Sequence, residues 1–94
     1  MKVNLLDKCV LHNKDIVSWR IIDKQVIFLH KNEKSFYELN EVAGFIWQKA
    51  VSKNSIKKII ALLSQYYDID RQVAERDTLA CIEDLLNRKI LVIR

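Results

Sequence analysis

Hydrophobic spacing changes period at Asn40, and that change most constrains how the chain can fold. Before it, "IVSWRIID" (16–23) and "QVIFLH" (25–30) are short runs of β-branched and aromatic residues separated by the polar step Asp23-Lys24. Such runs read as a β-hairpin. "KNEKS" (31–35) then reads as a turn and "SFYEL" (35–39) as a third strand. Its alternation sets Phe36 and Glu38 on one face, with Tyr37 and Leu39 on the other. After Asn40 the apolar residues recur at helical spacing. Asn40 is a good N-cap, and Val42, Ala43, Ile46, Trp47 and Ala50 form one stripe. Ser55 caps a second helix carrying Ile56, Ile59, Ile60, Leu62 and Leu63. Asp70 caps a third, running to Arg88, on the stripe Thr78, Cys81, Ile82 and Leu85. Leu79 and Leu86 widen that stripe by about a quarter turn. The tail "KILVI" (89–93) is a short strand or an extended packed segment.

The expected fold class is therefore α+β: a three-stranded N-terminal antiparallel sheet followed by three helices. Three helices after a hairpin make a winged helix-turn-helix arrangement, with "YYDIDR" as the turn. Ninety-four residues make one domain, 1–94, with residues 1–15 expected to be flexible or peripheral. Half of the residues are hydrophobic and 30% are charged, as in a globular fold rather than a disordered tail. The longest apolar run is far short of the roughly 20 residues of a membrane span. Charges interrupt "MKVNLLDKCVLHNKD", which excludes a signal peptide. A cytoplasmic protein with reduced thiols is expected.

Little here suggests catalysis. Cys9 and His12 have C-x-x-H spacing, but two ligands make no zinc site, so neither metal nor cofactor is expected. Cys81 falls on a core stripe, and no nucleophile–base pair is assembled by spacing. Trp19, Phe28 and Trp47 read as core aromatics. Phe45 lies off the first helix's stripe, a position open to a partner or a second copy.

"VSWRIIDKQVIFL", "YELNEVAGFIW", "SIKKIIALLSQYYDID" and "RDTLACIEDLLNRKIL" follow one another in an order that resembles the PqqD-like family, whose fold recurs as the precursor-peptide recognition element of ribosomal natural-product pathways. The resemblance runs from about Ile16 to Leu91. It departs where the family has glycines: Lys89 stands before the closing leucines, and "VSKNS" follows the first helix. The resemblance implies a binding module with no catalysis of its own. A precursor peptide's leader would add as a strand along the third β-strand, between it and the third helix. Phe36, Tyr37, Glu38 and Leu39 would supply the edge. Leu79 and Leu86 would line the groove, with Glu75, Arg76 and Asp77 as polar contacts. The implied partner is a modifying enzyme on a separate chain, either a radical SAM enzyme or a leader protease with its cyclase; a lasso-peptide pathway fits. A homodimer through the open edge is a further expectation when peptide is absent.

The competing reading is a winged-helix transcriptional regulator that binds DNA, which a pI near 9.2 invites. Charge placement opposes it. Residues 1–34 hold seven Lys/Arg against four Asp/Glu, whereas the third helix, 70–88, holds three arginines against five acids. That helix would meet phosphate repulsion in a DNA groove. A structural subunit that docks on an enzyme without touching substrate is the third reading. Changes on the strand edge would then leave peptide affinity untouched.

Overall fold

In the computed structural model, which describes residues 4–94, the hairpin and the three helices stand in the expected order. The strands are β1 (Val10–His12), β2 (Val17–Ile22), β3 (Gln25–His30), β4 (Ser35–Glu38) and β5 (Leu91–Ile93); the helices are α1 (Glu41–Val51), α2 (Ile56–Tyr67) and α3 (Arg71–Asn87). β2, β3 and β4 form an antiparallel sheet with β3 in the middle. Asp23 and Lys24, at φ 51° and 68°, close the β2–β3 hairpin. Two consecutive positive φ values are what a two-residue turn needs to follow the sheet's twist.

Of residues 1–15, expected to be flexible or peripheral, 1–3 lie outside the described residues, while Lys8 to Asn13 are fastened to the C-terminal strand and to the start of α2. β1 pairs antiparallel with β5, with Leu11 opposite Val92, and Val10 is fully buried. Three hydrogen bonds extend that zipper: Asn13 N–H to the Ile90 carbonyl at 2.9 Å, Asn13 Nδ2 to the Lys89 carbonyl at 3.2 Å, and Arg94 N–H to the Cys9 carbonyl at 2.9 Å. Ile56 N–H also donates to the Lys8 carbonyl, fastening the start of α2 to the same segment.

The caps follow local chemistry in two of three cases. Asn40 Oδ1 accepts from Ala43 N–H at 2.8 Å, and Ser55 Oγ accepts from Lys58 N–H at 3.1 Å. Asp70 occupies the N-cap position of α3, but its side chain makes no capping bond. Position alone set the α3 boundary there.

The core is aromatic at its centre. Trp47 is fully buried and stacks on Phe28, with ring centroids 5.6 Å apart and planes 8° apart. Tyr37 also stacks on Phe28, at 5.1 Å, and Trp19 meets Trp47 edge-on at 6.0 Å. His12 closes the cluster 6.2 Å from Trp19. Burial first, then the ammonium groups of Lys14 and Lys31, hold the His12 imidazole pKa below its ordinary 6.5. The folded value lies below the unfolded one, so the unfolded chain binds the proton more readily. Stability is then full above about pH 6.5 and falls as pH drops through the lowered folded value. Urea midpoints from pH 8 to pH 5 are expected to fall less in His12→Gln than in the unaltered chain; parallel curves would refute this.

The chain has one glycine, and it serves none of the left-handed positions. Lys34, Lys53, Asp68 and Lys89 have φ of 56°, 70°, 52° and 61°. Lys53 and Lys89 each turn the chain directly after a helix, at the end of α1 and of α3. A left-handed L-residue costs about 1–2 kcal/mol, against about 0.5–1 kcal/mol for glycine's extra unfolded-state freedom. Lys53→Gly and Lys89→Gly are each expected to stabilise by about 0.5 kcal/mol, roughly 2–4 °C in Tm for a domain this size. Thermal melts decide it, and a lowered Tm in both would contradict the strain argument.

Candidate functional site

β4 is an edge strand, and its register shows which backbone groups are free. Leu39 N–H donates to the Val26 carbonyl at 3.0 Å, which makes that opposed pair hydrogen-bonded. Antiparallel pairs alternate, so Tyr37–Phe28 and Ser35–His30 are bonded in the same way. Phe36 and Glu38 are the intervening residues. Their N–H and C=O groups point away from β3 into the open edge, two donors and two acceptors aligned for another strand.

The side chains divide between the two faces as the alternation requires. Phe36 is 74% exposed on the outer face, beside Leu29. Glu38 shares that face and accepts from Gln25 Nε2 at 3.3 Å. Tyr37 points inward onto Phe28, and its hydroxyl donates to Glu33, which with some desolvation raises the phenol pKa. Leu39 packs partly buried against the core.

Across the inner side of the edge lies the end of α3. The Arg88 guanidinium sits 5.4 Å from the centroid of the Tyr37 ring, and it pairs with Asp84 at 3.7 Å. At about 100° per residue, Asp84, Cys81 and Asp77 fall on the same flank of α3 as Arg88. Leu79, nine residues earlier, falls on the opposite flank, as do Leu86 and Glu75. Leu79 and Leu86 pack against the hydrophobic core. Arg76 is exposed and pairs with its neighbour Asp77 at 3.4 Å. Of the α3 residues singled out from sequence, Asp77 therefore shares the flank that reaches β4, while Glu75, Leu79 and Leu86 lie away from it. Arg88 and Asp84 were not among them; their i,i+4 spacing was the available signal.

Burial, then the Asp84 carboxylate, pushes the Cys81 thiol up to about 11, so it stays protonated at neutral pH. Among the described residues no three His, Cys, Asp or Glu side chains gather as metal ligands, and no helix is long and apolar enough to cross a membrane. A separate cleft of about 510 Å³ lies between the β2–β3 turn, α1 and the end of α2. The ring of Phe45 is engaged there within the chain, 5.0 Å from Tyr66 and 5.7 Å from Tyr67. The Tyr67 hydroxyl donates to Glu41 at 2.9 Å, and burial with that bond pushes its pKa up to about 12.

Residues 25–91 match the family model described as coenzyme PQQ synthesis protein D, PqqD. The chain belongs to the PqqD family. The matched span runs from the start of β3 into β5 and so contains β4 and α3. Two solved structures share the fold of this PqqD-family chain. One is "TbiB1 in Complex with the TbiA(beta) Leader Peptide", 26% identical, with a TM-score of 0.78 over 86% of this chain and 93% of that one. The other is "Lasso peptide synthetase B1 complexed with the leader peptide", 22% identical, with a TM-score of 0.79 over 88% of this chain and 96% of that one. A search of curated proteins gives no match.

Proposed function

We infer that this PqqD-family chain binds the leader segment of a ribosomally made precursor peptide by strand addition and presents it to a modifying enzyme, with no catalysis of its own. The observation that carries this is the open β4 edge, where the backbone groups of Phe36 and Glu38 face outward beside the Tyr37–Arg88 contact. Main-chain hydrogen bonds to that edge would give affinity, and the side chains above and below it would give selectivity. The leader complexes formed by the two structural neighbours point the same way. The peptide's inward residues would meet Tyr37, Arg88 and Asp84, with Asp77 further along the helix, and its outward residues would meet Phe36. The enzyme served would be a radical SAM enzyme or a leader protease with its cyclase. The chain's contribution would be the effective concentration it gives the tethered peptide.

The test is fluorescence anisotropy of a labelled candidate leader, chosen from short reading frames neighbouring this gene, titrated with the protein. Labelled duplex DNA runs in parallel. Saturable leader binding at micromolar protein that survives moderate salt is the expected result. Salt-sensitive DNA binding without a leader response would sink the proposal in favour of a winged-helix regulator.

A further inference from the structure

The outer face of the β2–β3–β4 sheet departs from what an antiparallel sheet turned to solvent normally shows, which is polar side chains. Ile22 is 46% exposed and Phe36 74%, and Ile27 and Leu29 lie partly exposed between them. Together they line a shallow cleft of about 660 Å³. The register sets out the face in rows. One row runs Ser18–Leu29–Phe36 and the next Arg20–Ile27–Glu38, each from β2 across β3 to β4. Each row is complementary end to end: small against large in the first, cation against anion in the second, with an aliphatic residue between.

We propose that this face is a self-complementary dimer interface that takes a second copy of this chain. Place a two-fold axis parallel to β3, midway between two such faces. It puts β2 of one copy over β4 of the other. Arg20 then meets Glu38 of the second copy, Phe36 fills the space over its Ser18, and Ile27 and Leu29 pack on themselves. Every contact is made twice, as an isologous interface requires. The arrangement is the aligned packing of two sheets about 10 Å apart, within about 30° of each other in strand direction. Glu38 has one carboxylate oxygen bonded to Gln25, which leaves the other for Arg20. The backbone edge of β4 lies in the plane of the sheet, so this dimer leaves both edges open, unlike a dimer paired edge to edge.

Sedimentation equilibrium of the whole chain, from micromolar to millimolar protein, tests it. A monomer–dimer equilibrium is expected. Arg20→Glu sets like charges opposite each other twice and weakens the dimer by about tenfold or more. Adding Glu38→Arg to Arg20→Glu restores the ion pairs and returns affinity to within about threefold of the starting value. Leu29→Asp abolishes the dimer, which keeps the test decisive if circular dichroism shows that Arg20→Glu fails to fold. Monomer at every concentration overturns the proposal, as does a dimer indifferent to Leu29→Asp or a double swap that restores nothing.

Discussion

Trp47→Ala is expected to cost about 3–5 kcal/mol. The indole is fully buried, lies flat on Phe28, and receives Trp19 edge-on and His12 from the β1–β5 pair. It is therefore where the three-stranded sheet, α1 and the two chain ends meet. A cavity at that junction is bounded by three separate elements, none of which can close it alone. A domain of this length has about 5–14 kcal/mol of total stability, so the variant would be partly or largely unfolded. Trp47→Phe discriminates between causes. The Trp47 Nε1 is buried and, among the described residues, has no hydrogen-bond partner. Phenylalanine keeps a stacked ring and removes an unsatisfied donor, so the desolvation cost returns while some volume is lost. Urea unfolding should show the phenylalanine variant losing less than half of what the alanine variant loses. Equal losses would mean that the indole nitrogen is satisfied and matters.

How much of this could be read from the chain depends on how local each determinant is. The β2–β3 hairpin, Asn40 and Ser55 as caps, and the stripe through Ile46, Trp47 and Ala50 are each set by residues within four or five positions of one another. All of them appear as expected. β1 was not legible, because "VLH" has no strand signature and its partner β5 lies some eighty residues away. α3 shows the same limit at the site. Its sequence gives the relative faces of the helix, but not how the helix is rotated against β4. The contact between Arg88 and Tyr37 supplies that rotation at the C-terminal end of the helix: the flank turned towards β4 there carries Arg88 and Asp84, not Leu79 and Leu86. The exposed charges of α3 are mixed, Arg71 and Arg76 beside Glu75, Glu83 and Asp84, and do not form the basic stripe that a DNA groove favours.

Phe36→Pro is expected to reduce leader affinity by at least about tenfold while leaving the fold intact. Proline is tolerated on an edge strand where the N–H faces out of the sheet, because no ladder bond is lost. The Phe36 N–H is such a group: Tyr37 and Leu39 carry the bonds to β3, and Phe36 does not. Proline would remove one of only two donors on the edge and place its ring where an added strand must approach. One lost hydrogen bond contributes about 0.5–1.5 kcal/mol, up to about tenfold, and the steric term adds to it. Tyr37→Pro is the control, because it would break a bond within the β3–β4 ladder and lower Tm. A leader that binds Phe36→Pro as tightly as the unaltered chain, with Tm unchanged, would place the peptide somewhere other than the β4 edge. If Phe36→Ala binds as weakly as Phe36→Pro, the exposed ring carries the affinity, and recognition is by side chain rather than by strand addition.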